Sequence, residues 1–220
     1  MVIDAISQQH NWAEILTPSQ IQQWSDRHFG IGFDQLLLVE APATPGHDFR
    51  YRIFNADGGE VQQCGNGARC FARFVHDTGL TTKTAIRVET LSGSLTLNIT
   101  DNKQVEVDMG VPCFDPQSLP FDDSRAEHLA DNRYRITAGD HHYEIAIVSM
   151  GNPHAIIWVT GLSDYPVQQI GPLIQAHPAF IEGVNVGFAE KQADNQLALR
   201  VFERGSGETL ACGSGGCAAA

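Results

Sequence analysis

The chain has 220 residues, 42% of them hydrophobic and 18% charged, enough apolar side chain to bury a core and far from the composition of a disordered chain. Its 14 Lys and Arg stand against 26 Asp and Glu, and this formal net charge of −12, spread along the chain, argues against nucleic acid or an anionic membrane as a partner. Five cysteines make an odd number, Met1-Val2-Ile3-Asp4 opens with no basic or long apolar segment, and no stretch reaches the length of a membrane span. A reducing cytoplasm is the expected setting, where clustered cysteines are more often catalytic or metal-binding than disulfide-bonded.

Thr17-Pro18-Ser19-Gln20 places a capping threonine, a proline at the first helical position and a glutamine three residues after the cap, which predicts a helix running on to Gly30. Strands are predicted over 35–40 and 49–55, the second with Phe49, Tyr51 and Ile53 on one face. From Gly65, the residues Ala68, Phe71, Phe74 and Val75 recur at helical spacing until Gly79, so Cys64 falls at a helix N-terminus. Strands over 85–90, 94–100 and 105–109 follow, then a Pro- and Asp-rich break to Ser124. That break divides the chain into domains of 1–110 and 111–220. The second resumes with strands over 133–138, 143–149 and 155–160, a helix from about Asp164, and strands over 184–189 and 197–203 before a glycine-rich turn and Cys212. Strands outnumber helices without regular alternation and no dinucleotide-binding glycine fingerprint is present, so the fold class is α+β.

The halves repeat a pattern. Asn55-Ala56-Asp57-Gly58-Gly59-Glu60 leads to Cys64-Gly65-Asn66-Gly67, and Glu203-Arg204-Gly205-Ser206-Gly207-Glu208 leads to Cys212-Gly213-Ser214-Gly215. Asn55 to Cys64 and Glu203 to Cys212 are both intervals of nine. A duplicated pair of domains would set the two cysteines on opposite walls of one cleft.

Two such cysteines suit inversion of an amino-acid α-carbon, which needs a base on one face and an acid on the other. A helix N-terminus favours thiolate, drawing the thiol below its free value of ~8.5. The Gly-Asn-Gly and Gly-Ser-Gly segments can turn several backbone N–H groups toward one anion, here assigned as the substrate α-carboxylate, which takes up charge as the proton leaves. No feature asks for an electron-sink cofactor, and none of Lys83, Lys103 and Lys191 stands in a Schiff-base setting.

The plain alternative for Cys64 and Cys212 is a small buried residue at a tight turn. Cys70, Cys113 and Cys217 are expected to serve packing. Zinc is a rival reading, though the Cys-x5-Cys and Cys-x4-Cys spacings match structural zinc sites poorly and no metal site is assigned. A phosphate loop lacks its Gly-Lys-Ser/Thr. His154, in Gly151-Asn152-Pro153-His154, is the only histidine in a motif-like setting.

The chain resembles the diaminopimelate epimerase family over nearly its whole length. The resemblance is carried by Asp26-Arg27-His28, Gly32-Phe33-Asp34-Gln35-Leu36-Leu37, Tyr51-Arg52-Ile53-Phe54-Asn55-Ala56-Asp57-Gly58, Cys64-Gly65-Asn66-Gly67-Ala68-Arg69-Cys70, Met150-Gly151-Asn152-Pro153-His154, Asn185-Val186-Gly187-Phe188 and the two stretches from Glu203 and Cys212. It implies two pseudo-symmetric domains, each a curved, mostly antiparallel sheet around a helix, with the active site in the cleft between them. It implies cofactor-free interconversion of LL- and meso-diaminopimelate in lysine and peptidoglycan-precursor synthesis, with Cys64 and Cys212 as bases and a homodimer as the assembly. Carried residue by residue, Gly65, Asn66, Gly213 and Ser214 would hold the reacting carboxylate. Asn55, Asn152, Asn185, Glu203 and Arg204 would bind the other amino and carboxyl groups, Gln35 would line the site, and His154 and Glu203 would assist the thiols. A doubly zwitterionic substrate needs ammonium acceptors and a fork for its distal carboxylate, which Glu203, Arg204 and three asparagines supply. A proline-racemase-like activity, or non-catalytic small-molecule or metal binding, remains the alternative.

The family's initial strand and Gly-x-Gly-Asn-Asp-Phe segment have no counterpart here, and Ala218-Ala219-Ala220 stops in the first turns of the helix that Cys212 heads. A polypeptide ending there is expected to be weakly stable and to have little or no epimerase activity, since so short a helix needs tertiary support.

Overall fold

The computed structural model describes residues 1–8, 10–61, 64–91 and 93–220, and the chain divides into one unit of Met1–Asp108 and another of Met109–Ala220. The first unit runs β1 (Val2–Asp4), α1 (Trp12–Ile15), α2 (Pro18–Ser25), β2 (Gln35–Glu40), β3 (Phe49–Asn55), β4 (Glu60–Val61), α3 (Gly65–Asp77), β5 (Ala85–Thr90), β6 (Gly93–Ile99) and β7 (Val105–Val107). Its sheet has the order β1, β2, β3, β5, β6, β7, with β4 also on β3. The β1–β2 and β3–β5 pairs are parallel and the others antiparallel.

β2 is apolar from Leu36 to Val39 because both its faces are covered. Leu37 and Val39 enter one buried cluster with Tyr51, Ile53 and the inner face of α3, Ala68, Phe71, Ala72 and Val75. Leu36 and Leu38 point the other way, as the two-residue period of a strand requires, into a cluster with Phe33, Phe54 and Ile21 of α2.

α2 begins as its sequence predicts, with the Thr17 hydroxyl accepting from the Gln20 backbone N–H at 3.2 Å. It stops at Ser25, five residues short of the predicted Gly30. The Asp26 carboxylate accepts from the backbone N–H groups of His28 and Phe29 at 2.7 and 2.8 Å, and this local turn competes with continuation of the helix.

The second unit contains β8 (Glu127–Ala130), β9 (Arg133–Ala138), β10 (His141–Ser149), β11 (Pro153–Trp158), α4 (Val167–Gln175), β12 (Asn185–Ala193), β13 (Gln196–Glu203), β14 (Gly207–Thr209) and α5 (Gly213–Ala219). The sheet order is β14, β13, β12, β11, β10, β9, β8. Only β11–β12 is parallel. α4 buries Val167 and Ile174 against Tyr134, Ile136, Ile145, Ile147, Val186 and Phe188. α5 lies on a smaller cluster, where Ala219 and Ala218 meet Ile156, Ala189 and Leu199.

The helix expected from Asp164 starts at Val167. Leu162–Asp164 form a single 3-10 turn, and Tyr165, which precedes Pro166, is held extended at φ −64° and ψ 133°.

Both units contain the same ladder. In the first, β1 and β2 are parallel around α2, β2–β3 and β3–β4 are antiparallel, and α3 follows. In the second, β11 and β12 are parallel around α4, β12–β13 and β13–β14 are antiparallel, and α5 follows. The α+β fold with two pseudo-symmetric, mostly antiparallel units is therefore present.

Candidate active site

In the first unit, Gln35 opens β2 directly opposite Asn55 at the end of β3, and the Gln35 side-chain amide donates to Asn55 Oδ1 at 3.1 Å. The chain then turns through Gly58 at φ +85°, with the Asp57 carboxylate accepting from the Gly59 N–H at 2.8 Å. Beyond β4, Cys64 caps α3 with extended backbone, φ −144° and ψ 110°, and its sulfur accepts from the Gly67 N–H at 3.4 Å. Gly65 and Gly67 are buried, while Cys64 and Asn66 are half-buried. The sulfur thus occupies the capping position usually given to a serine or aspartate oxygen.

Gly67 has no room for a side chain. A Cβ there would collide with the Tyr51 hydroxyl and lie 3.2 Å from Leu37 Cδ2. Gly67→Ala is expected to lower unfolding stability by about 1–3 kcal/mol, the usual range for overpacking a tight core. A urea unfolding midpoint equal to that of the unsubstituted chain would contradict this close fit. The Tyr51 hydroxyl itself is buried with no hydrogen-bond partner among the described residues. Burial pushes its pKa far up.

In the second unit, Asn185 opens β12 and Glu203 closes β13. Asn185 Oδ1 accepts from the backbone N–H of Arg204 at 2.8 Å, which fixes the turn after β13. The Arg204 guanidinium is exposed and donates to the Glu182 carbonyl at 3.1 Å, and the Thr209 hydroxyl donates to the Glu203 carboxylate. Cys212 occupies the N-cap position of α5 at φ −129° and ψ 111°, close to the backbone of Cys64, but without the side-chain capping bond that Cys64 makes.

A polar cluster built from β11 and the loop before it surrounds the residue two places on. Ser214 Oγ lies 3.6 Å from Cys212 Sγ, 3.0 Å from His154 Nε2 and 3.3 Å from Asn152 Nδ2. His154 Nε2 is also 3.1 Å from Asn152 Oδ1. His154 is fully buried, and burial drives its pKa down to about 4, so it is neutral at ordinary pH.

The Cys212 thiol overturns the expectation of a thiolate favoured by a helix N-terminus. Burial first, and the Glu203 charge second, push it up to about 11, while hydrogen bonds from Ser214 and Gly215 pull it partway back.

The residues singled out from the sequence thus gather into two groups, one in each unit. One holds Cys64, Gly65 and Asn66 at the start of α3, beyond the turn that follows the Gln35–Asn55 pair. The other holds Cys212, Gly213 and Ser214 with Asn152, His154 and Glu203, while Asn185 and Arg204 shape the adjoining turn. Cys70 and Cys217 are exposed, contrary to the packing role expected of them. At Cys70 the cause is helical phase, since Ala68, Phe71, Ala72 and Val75 take the inward face of α3. Thr209 and the Tyr51 hydroxyl escaped sequence reasoning. Tyr51 was legible only as an inward position of β3, which reveals nothing of its polar end. Among the described residues, no group of three or more His, Cys, Asp or Glu side chains is placed to hold a metal ion, and no helix is long and apolar enough to cross a membrane.

Among solved structures, a hydroxyproline epimerase from Agrobacterium vitis matches with a TM-score of 0.64 and 15% identity, over 93% of this chain and 65% of that one. A probable proline racemase from Agrobacterium radiobacter K84 matches with a TM-score of 0.60 and 16% identity, over 88% and 62%. The chain therefore spans slightly less than two thirds of each of these proteins. At such identity the likeness concerns fold alone. With the repeated cysteine-led unit, it defines a two-unit α+β fold shared with these proteins. The family model described as diaminopimelate epimerase matches residues 1–114 and 146–220. Diaminopimelate epimerase from Pseudomonas savastanoi pv. phaseolicola is 55% identical across the whole chain, which spans 77% of that relative, and the one from Nitrosomonas europaea is 54% identical, with 76% spanned. The chain belongs to the diaminopimelate epimerase family. Membership makes it an isomerase of the class that epimerises diaminopimelate.

Proposed function

We propose that Cys64 and Cys212 are the two acid/base groups of this epimerisation, one thiolate removing the α-proton of diaminopimelate while the other thiol protonates the opposite face. The observation that carries this reading is the repeated ladder, which ends in both units on a cysteine in extended backbone at the N-cap position of a helix. The C–H electron pair left on the α-carbon delocalises into the α-carboxylate. N–H groups of Gly65, Asn66, Gly213 and Ser214 offset the charge that develops there. One turnover exchanges the protonation states of the two sulfurs, so the same pair serves both directions. Cys212 is protonated at neutral pH, which suits it to start as the proton donor.

Asn55, Asn152, Asn185, Glu203 and Arg204 hold the remaining amino and carboxyl groups, Gln35 lines the site, and His154 and Glu203 act on the neighbouring thiols. Proton transfer between two sulfurs requires no cofactor. The reaction belongs to lysine and peptidoglycan-precursor synthesis, in a reducing cytoplasm, with a homodimer as the working assembly.

Incubating LL-diaminopimelate with the full-length protein in deuterated water tests the reading. Deuterium is expected at the inverted α-carbon of the meso product. Absence of both inversion and exchange would overturn it.

A further inference from the structure

We propose that the Ser214 hydroxyl donates a hydrogen bond to the Cys212 sulfur, its direction fixed by Asn152 and His154, so that Ser214 is a catalytic residue and those two are positioning residues. This deepens the function proposed above and rests on it.

The direction follows from counting donors. Ser214 is 8% exposed, and its oxygen has one hydrogen to give and two lone pairs to receive. Its polar neighbours among the described residues are Asn152 Nδ2 at 3.3 Å, His154 Nε2 at 3.0 Å and Cys212 Sγ at 3.6 Å. The amide nitrogen of Asn152 can only donate, so it takes one lone pair.

His154 is neutral and carries one N–H. Its Nε2 also lies 3.1 Å from Asn152 Oδ1, which can only accept. A lone pair on Nε2 would face that oxygen with no proton between them, so the hydrogen belongs on Nε2. This tautomer also suits Nδ1, which is buried without a partner among the described residues. A bare lone pair is left there instead of a buried unpaired N–H, the rarer arrangement. The single Nε2 hydrogen is shared between Asn152 Oδ1 and Ser214 Oγ, so neither Nε2 nor Asn152 Nδ2 offers the serine an acceptor, and its hydrogen is left with the sulfur.

The consequence lies in the charged form of Cys212. The groups facing this sulfur are the Glu203 carboxylate from β13, the Gly215 N–H and the Ser214 hydroxyl from α5, and, behind Ser214, the neutral His154 from β11. Glu203 opposes a thiolate by its charge. Ser214 is the one side-chain donor that the described residues offer to stabilise it. Ser214 is also the foremost of the groups drawing this thiol's pKa back down. Each turnover that leaves Cys212 as thiolate depends on this hydroxyl.

The test compares the full-length protein with its Ser214→Ala and Ser214→Thr variants. Alkylation of Cys212 by iodoacetamide is followed against pH without substrate, by mass measurement of the peptide that contains it. The midpoint is expected to rise by about one pH unit in Ser214→Ala, the effect of losing one hydrogen bond to a charged group, and to stay in place in Ser214→Thr. Turnover in Ser214→Ala should fall about tenfold in kcat with KM little changed. An unmoved midpoint in Ser214→Ala, or an equal shift in Ser214→Thr, would overturn the proposal. Cys212→Ala separates the two readings. If it epimerises normally, the two-thiol reading fails; if it is inactive while Ser214→Ala keeps its midpoint, only the role of the hydroxyl is lost.

Discussion

Replacing either Cys64 or Cys212 with alanine is expected to lower epimerisation of diaminopimelate by about 100- to 10,000-fold, the usual range for removing a general acid or base. The expected signature is finer than a loss of rate. With one sulfur removed, the other can still take a proton from the isomer whose α-hydrogen faces it and return a deuteron to the same side. Each variant should therefore exchange deuterium into one stereoisomer without inverting it, and the two variants should favour opposite isomers. Mass spectrometry of substrate separated by stereoisomer after incubation in deuterated water reads both effects. Exchange into both isomers by a single variant would show that one sulfur can reach both faces, and a two-base assignment could not survive that result.

The second large effect concerns stability in acid. Burial of His154 sets its folded pKa near 4, against an ordinary value of 6.5. Between these values the unfolded chain binds a proton that the folded chain refuses, so stability rises with pH across that window. The contribution is fully present above about pH 6.5 and is lost as pH falls toward 4, amounting to about 3 kcal/mol. Carboxylates whose pKa values are depressed on folding, such as Glu60 beside Arg52, add their own losses lower on the scale. His154→Gln isolates the histidine share. Urea unfolding at pH 7 and pH 4.5 should show a smaller drop for the variant than for the unsubstituted chain, and equal drops would mean that His154 does not titrate across this window.

Much of this molecule could be read in advance where side chains alternate without ambiguity. The strands at 35–40, 49–55, 85–90 and 133–138 lie within the limits their patterns predict. Glu60–Val61, Glu127–Ala130 and Gly207–Thr209 were not legible, because short segments become strands through the register of a neighbour and not through their own propensity. The spacing of Cys64 and Cys212 from their polar turns was equally visible. The partnership of His154 with Ser214 was not, since 60 residues separate them and only the packing of α5 beside β11 brings them together. The direction of the Cys212 shift is not legible in the sequence for a related reason. Helix position can be read along the chain, but burial beside Glu203 is decided by tertiary contact.

β2, apolar toward both of its neighbours, carries a hazard before folding is complete. In an unfolded chain, Leu36-Leu37-Leu38-Val39 is a short, uncharged, strand-forming stretch of the kind that stacks with copies of itself. Asp34 stands two residues before it and Glu40 directly after, so in-register stacking would bring like charges together at both ends. Acids so placed are of the gatekeeper kind that flanks unavoidable apolar strands, here one that α2 and α3 cover in the folded chain.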